Sequence, residues 1–418
     1  MRDVMAPGYP GRGYDPTPGF TDMQWYMYHQ RNVAHFAAFS AEVYDEARIV
    51  ALARVLLEAA PHFGLGWRGA GTLPDDATLA RLGRIETVDS FEGLPDRWLD
   101  DALGVFGDPA LPLFRIRIAQ RRGGADAEGR RSLLVVQVAH ALTEGSDSAL
   151  LARSHGAVHE PTRQGQRPPT MVAAAGRVTG WLAAIGHLIG SRLVTPHPGR
   201  IRAVTRAWPR EPFTRWARRL GVSQRALYLG LGAYTVNRAG TGTGGRRISC
   251  TYSTLDPGEG IRRDPFMRMR MRFAAFDNRP DFPAFVQGIE GRLAHERRES
   301  GFSSEVSAAA IAAHRRLAGA LPFLYGPCVF DFMPFDLVFG LLPPHRLAGP
   351  LSEGLLEPVY AGALLPGVNA CVVVPGRTMV SFGFYVEERL VDEVARLDAL
   401  VGPELAAAVV TPARNGTA

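Results

Sequence analysis

The chain has 418 residues, enough to bury a large core and to fill two or three domains. Hydrophobic residues make up 46% and charged residues 21%, a balance ordinary for a globular protein. The net charge of +6 is small for this length and its cations are all arginine; the densest cluster, Arg262 to Arg272, lacks interleaved aromatics, so nucleic acid is not an expected partner.

Residues 1–19 form a Gly- and Pro-containing stretch without an apolar core, expected to be an irregular lead-in rather than a signal peptide. Cys250, Cys328 and Cys371 are far apart and form no CxxC pair. A disulfide framework or zinc site is therefore not expected, and a cytoplasmic location is. Each cysteine lies in or beside a strand-like segment, which predicts buried structural thiols.

In chain order, Thr21 to Phe39 reads as a helix, a turn at Arg31-Asn32 and a strand. Glu46 to Ala60 places Ile49, Ala53, Leu56 and Leu57 on one helical face. Leu111 to Gln120 and Arg131 to Ala139 read as paired strands around the turn-rich 122–129 segment. Ser154 to Thr170 reads as a linker. Met171 to Val194 follows, long and apolar, with Val178, Trp181, Leu182, Ile185, Leu188 and Ile189 at helical spacing. Arg177, His187 and Arg192 interrupt it, so a core or interfacial helix is favoured over a transmembrane span. With a lipid substrate, this helix is the first candidate for touching a bilayer.

Beyond it come a strand (Ile201 to Ala207), a helix (Pro212 to Leu220) and a second helix capped by Ser223 and running to about Asn237. Strands are expected at Arg246 to Tyr252 and Phe266 to Phe273, and helices at Phe282 to Arg297 and Val306 to Leu317. The tail reads as a hairpin, turning at Pro375-Gly376-Arg377 and returning over Met379 to Val386. A closing helix from Leu390 to Leu405 ends the pattern. Strands alternating with helices predict an α/β layered protein.

The stretch Leu133 to Leu151 carries the chemistry. Its apolar run delivers His140 to a strand end, with Glu144 and Gly145 in the turn beyond it. A histidine there is held rigidly, and its imidazole works as a base near neutral pH. The plainer reading is a core histidine followed by a helix cap. A metal site from His140 and Glu144 lacks a third ligand nearby, so no metal is expected. Arg268, Arg270 and Arg272 alternate with methionines, giving either a solvated strand face or a contact for the phosphates of coenzyme A.

The pattern His140-x-x-x-Glu144-Gly145 resembles the H-H-x-x-x-D-G motif of the superfamily of chloramphenicol acetyltransferase, nonribosomal peptide condensation domains and wax ester synthase/diacylglycerol acyltransferases. Ala139 stands in place of the first histidine and Glu144 in place of the aspartate. The opening, with Asp22, Trp25, Asn32 and His35, and the tail, with Gly367, Asn369 and Phe382-Gly383, are similar to the wax ester synthase ends. An Asn-Asp pair of that family is replaced by Arg225 and Ala226.

The resemblance implies two chloramphenicol-acetyltransferase-like subdomains with mixed sheets and an active-site tunnel between them. The expected division is a lead-in (1–19), an N-terminal subdomain (20–154), a linker with the amphipathic helix (155–200) and a C-terminal subdomain (201–418). The implied activity is transfer of an acyl group from a thioester, acyl-CoA first, to a hydroxyl acceptor. His140 would be the general base; Glu144 and Gly145 would fix its loop. His35 and Asn369 would line the substrate channel or serve as structural hydrogen bonders. No tightly bound cofactor is implied. The expected substrates are small molecules or lipids, with peripheral membrane association and a carrier protein as further partners. The alternatives are a non-catalytic member and a carrier-dependent condensation enzyme.

Overall fold

A computed structural model describes residues 20–30, 32–59, 61–64, 74–100, 111–142, 170–193, 201–240, 247–255, 269–277, 281–298, 302–325, 329, 335–342, 354–364 and 368–410. Helix α1 (Asp22–His29) is opened by a capping box between Thr21 and Gln24. It leads into β1 (Val33–Ser40), followed by α2 (Glu46–Ala59), the short α3 (Asp76–Ala80), β2 (Gly83–Val88) and α4 (Leu94–Asp100). Next are β3 (Phe114–Arg121) and β4 (Ser132–Ala139), which ends in a 3₁₀ turn, His140–Leu142. Every residue of β1 and β4 is buried, which their near-continuous apolar sequences require of central strands covered on both faces.

After α5 (Thr170–Leu193) come β5 (Ile201–Pro209), α6 (Arg210–Leu220) and α7 (Gln224–Gly240). Gly221, at φ +70°, stops α6 as a left-handed cap, and the Ser223 hydroxyl accepts from Ala226 N–H at 3.2 Å to start α7. Strands β6 (Arg247–Leu255) and β7 (Met269–Asp277) precede α8 (Phe282–Arg298) and α9 (Phe302–Ala320). The chain then makes β8 (Leu337–Leu341), β9 (Leu355–Leu364), β10 (Ala370–Pro375) and β11 (Met379–Glu387). It ends in α10 (Val391–Ala395) and α11 (Leu397–Val410).

These strands form two mixed sheets, ordered β2-β3-β4-β1-β9 and β5-β11-β10-β8-β6-β7. In the first, β1 runs antiparallel to β4 and β9 while β2 and β3 are parallel. The second combines parallel β8 pairings with antiparallel hairpins. Each sheet supports its own apolar cluster. The second sheet is built from residues beyond 200, but the first takes one strand, β9, from that region. Two further ties join the sheets' surroundings: Asp96 of α4 accepts from the Thr205 N–H (2.9 Å) and hydroxyl (2.7 Å) of β5.

The structure corrects several expectations. Strands β2, β8 and β9 are unforeseen: β2 carries charge at alternate positions, and β8 is only five residues long. The strand expected at Phe266 to Phe273 lies at Met269–Asp277, in antiparallel register with β6. The closing helix is broken by a turn at Arg396 into α10 and α11, behind a 3₁₀ turn at Glu388–Leu390. Cys250 and Cys371 are buried thiols in β6 and β10, and burial pushes the Cys371 thiol well up. Cys328, the lead-in and the linker up to residue 169 lie outside the described residues.

Candidate active site

β4 delivers His140 one residue beyond its last ladder position. The Ala139 N–H donates to Leu113 O (2.9 Å) and the His140 N–H to Asn32 O (2.8 Å), anchoring the turn to the residues that precede β3 and β1. Asn32 is itself fully buried, and its side-chain amide donates to Gln30 Oε1 at 2.8 Å. Helix α1 packs on this turn, and Ala141 and Leu142 sink into the first core. The His140 residue is half-buried. The sequence thus folds here so that two buried residues pin a turn whose first side chain is half-buried.

His35 occupies the middle of β1, level with Gln137 on β4 and Gly362 on β9. Its exposure is 0%, and among the described residues neither ring nitrogen meets a hydrogen-bond partner. Burial, then the neighbouring His140 and Arg117, pull its pKa from 6.5 down to about 3, so the ring is neutral at any physiological pH. Tyr385, from β11 of the other sheet, stacks on it with centroids 5.9 Å apart. Gly362 makes room for that ring: a Cβ there would lie 2.0 Å from a Tyr385 ring carbon. The junction of the two sheets therefore passes through His35, Tyr385 and Gly362.

Gln137, Arg117 and Trp98 complete this neighbourhood. Gln137 Nε2 donates to Trp98 O at 3.4 Å, and the Arg117 guanidinium lies 4.4 Å from the centre of the Trp98 ring. None of these, nor Tyr385, was singled out from sequence. The one available signal was Gln137 itself, a lone amide in an otherwise apolar strand.

Asn369 lies at the entry to β10, and its amide is used structurally. Its Oδ1 accepts from Glu387 N–H (2.9 Å) and its Nδ2 donates to Asp336 O (3.2 Å), clamping three strand ends together. Arg270 and Arg272 fall in β7, the edge strand of the second sheet, opposite Thr254 and Tyr252. Arg268, Glu144 and Gly145 lie outside the described residues. The structure thus brings His35 beside His140, and places Asn369 in a clamp at the ends of β8, β10 and β11. Among the described residues no group of three or more His, Cys, Asp or Glu side chains could hold a metal ion.

No family model matches the chain, and no curated protein matches it. Solved structures do. A wax ester synthase/diacylglycerol acyltransferase from Marinobacter aquaeolei VT8 matches with a TM-score of 0.53 at 14% identity, over 90% of this chain and 93% of that one. The first condensation domain of the calcium-dependent antibiotic synthetase matches with a TM-score of 0.50 at 15% identity, over 94% and 97%. The cyclization-docking bidomain of EpoB from Sorangium cellulosum matches with a TM-score of 0.51 at 13% identity, over 97% and 86%. At such identities the likeness is one of fold: an α/β chain with two mixed sheets, arranged as two chloramphenicol-acetyltransferase-like subdomains.

Proposed function

We propose that this chain is an acyltransferase that moves an acyl group from a thioester, acyl-CoA first, to a hydroxyl acceptor, with His140 as general base. The observation that carries the reading is the placement of His140: anchored through its backbone, half-buried, and near a second imidazole that stays neutral around pH 7. In this scheme the acceptor hydroxyl loses its proton to the His140 imidazole as its oxygen attacks the thioester carbonyl. The carbon–sulfur bond then breaks, and the imidazolium returns the proton to the departing thiolate. Because His35 stays neutral around pH 7, its imidazole adds no positive charge beside the imidazolium.

The test is thiol release from a panel of acyl-CoA donors with alcohol acceptors, for the parent and His140→Ala. Turnover should fall by about 10²–10⁴-fold in a variant that melts like the parent. A folded His140→Ala protein with full transferase activity would remove the assignment.

One observation favours a second reading, a non-catalytic member of the fold. Ala139, opposite Val33 and fully buried, fills the position where the resemblance expects another histidine. Absence of thiol release with every acyl-CoA and carrier-bound donor, together with ligand binding by the intact protein, would support it.

A further inference from the structure

Helix α5 has two unlike faces. Its inner face is made of small residues that let it lie against α9: a Cβ on Gly176 would come within 2.7 Å of the Glu305 Cβ, and one on Gly180 within 2.5 Å of the Ala309 Cβ. Ala184, Leu188 and Ser191 continue this buried side. The outer face carries Met171, Val178, Leu182, Ile185, Ile189 and Leu193, between 42% and 84% exposed. At ~100° per residue these six fall within a stripe about 80° wide, running the ~36 Å length of a 24-residue helix. Soluble proteins scatter exposed apolar side chains singly, so a continuous stripe of this length marks a contact surface.

The edges of the stripe indicate what it contacts. Helix α5 contains no aspartate or glutamate; at ~100° per residue the exposed Arg192 and the half-buried Trp181 flank one edge of the stripe, while the exposed Arg177 lies further round, toward the packed side. Arg192 donates to Leu324 O, which holds the 77%-exposed Phe323 beside the helix end. An apolar stripe bordered by arginine and tryptophan, with no carboxylate, complements the acyl and phosphate layers of an anionic lipid surface. A protein partner of mixed charge would not need an acid-free face. Although α5 is long and apolar enough to cross a membrane, its inner face is packed on α9 along its length, so it would lie in the interface plane rather than span.

We propose that the outer face of α5, with Phe323, docks this protein flat on an anionic lipid bilayer. The inference does not depend on the catalytic reading, and its test reads binding alone. The full chain is floated with vesicles of pure phosphatidylcholine and of phosphatidylcholine containing phosphatidylglycerol, at low and high salt. Binding should appear with the anionic vesicles and weaken with salt. The double variant Leu182→Glu/Ile189→Glu should lose at least about tenfold in affinity, and Arg192→Gln about fivefold. Circular dichroism of the variants verifies the fold, since all three side chains are exposed. Failure of the folded parent to bind anionic vesicles overturns the proposal. So does a parent that sediments as a dimer which the double variant dissociates, because the stripe would then belong to a second copy of this chain.

Discussion

His35 and Tyr385 stack nearly parallel, with ring planes 10° apart, although one stands on the first sheet and the other on the second. The contact exists because β9 offers no side chain at Gly362. A methyl group there would overlap Tyr385 ring atoms at 2.0 to 2.3 Å, and the ring is fully buried with nowhere to retreat. Gly362→Ala should therefore destabilise the protein by about 1–3 kcal/mol, read as a lower denaturant midpoint. Adding Tyr385→Ala should recover part of that loss. An unchanged midpoint for the single variant would show that the sheets can shift apart freely.

His35 also makes stability depend on pH. Its pKa falls from 6.5 unfolded to about 3 folded, and that of His314, buried and beside His187, falls to about 4. Between these values the unfolded chain holds protons that the folded chain excludes, so unfolding becomes easier as the pH drops. Stability should be flat with respect to these two groups above about 6.5 and decline from there toward pH 4 and below. His35→Phe, which keeps a ring against Tyr385, should flatten the acid side of a plot of urea midpoint against pH. Parallel curves for parent and variant would exclude His35 as a source of the slope.

The same substitution separates stability from function at neutral pH. Two buried ring nitrogens without partners are a cost, and phenylalanine removes both. His35→Phe should hold stability at pH 7 or raise it by about 1 kcal/mol. If acyl transfer falls in the same variant, His35 contributes to the site rather than to the core.

Asn369 should behave as a clamp. Asn369→Ala leaves the Glu387 N–H and the Asp336 carbonyl without their amide partner and should cost about 1–3 kcal/mol in chemical denaturation. Activity per folded molecule should stay at the parent level. A loss of turnover without loss of stability would move Asn369 into the substrate channel.

Gly180→Val tests the seat of α5. The new side chain would meet the Val306 carbonyl oxygen at 2.6 Å and the Ala310 nitrogen at 2.9 Å, backbone atoms that cannot swing aside. Hydrogen exchange should quicken along α5 and the facing part of α9, with a stability loss of about 1–3 kcal/mol. Exchange unchanged along both helices would mean that they already part in solution.

Local pattern carried the reading far wherever one residue's neighbours in sequence are also its neighbours in space. The α2 stripe, the β3–β4 pair, the Ser223 cap and the β10–β11 hairpin are of that kind, and His140 at the end of β4 follows from the apolar run before it. Strand β9 is the opposite case: it takes its place beside β1 across more than three hundred intervening residues, and nothing local announces that partner. The break at Arg396 was likewise hidden, because the apolar spacing carries across it.

The sequence alone determined the alternation of strands and helices, the histidine at the end of β4 and the two-faced character of α5, because each is set by short-range periodicity. Only the tertiary structure decided that His35 lies beside His140 and under Tyr385, that Asn369 is occupied in a clamp, and that the apolar side of α5 faces outward. Those outcomes depend on which distant strands and helices meet, and burial is a property of the assembled sheets rather than of any stretch of chain.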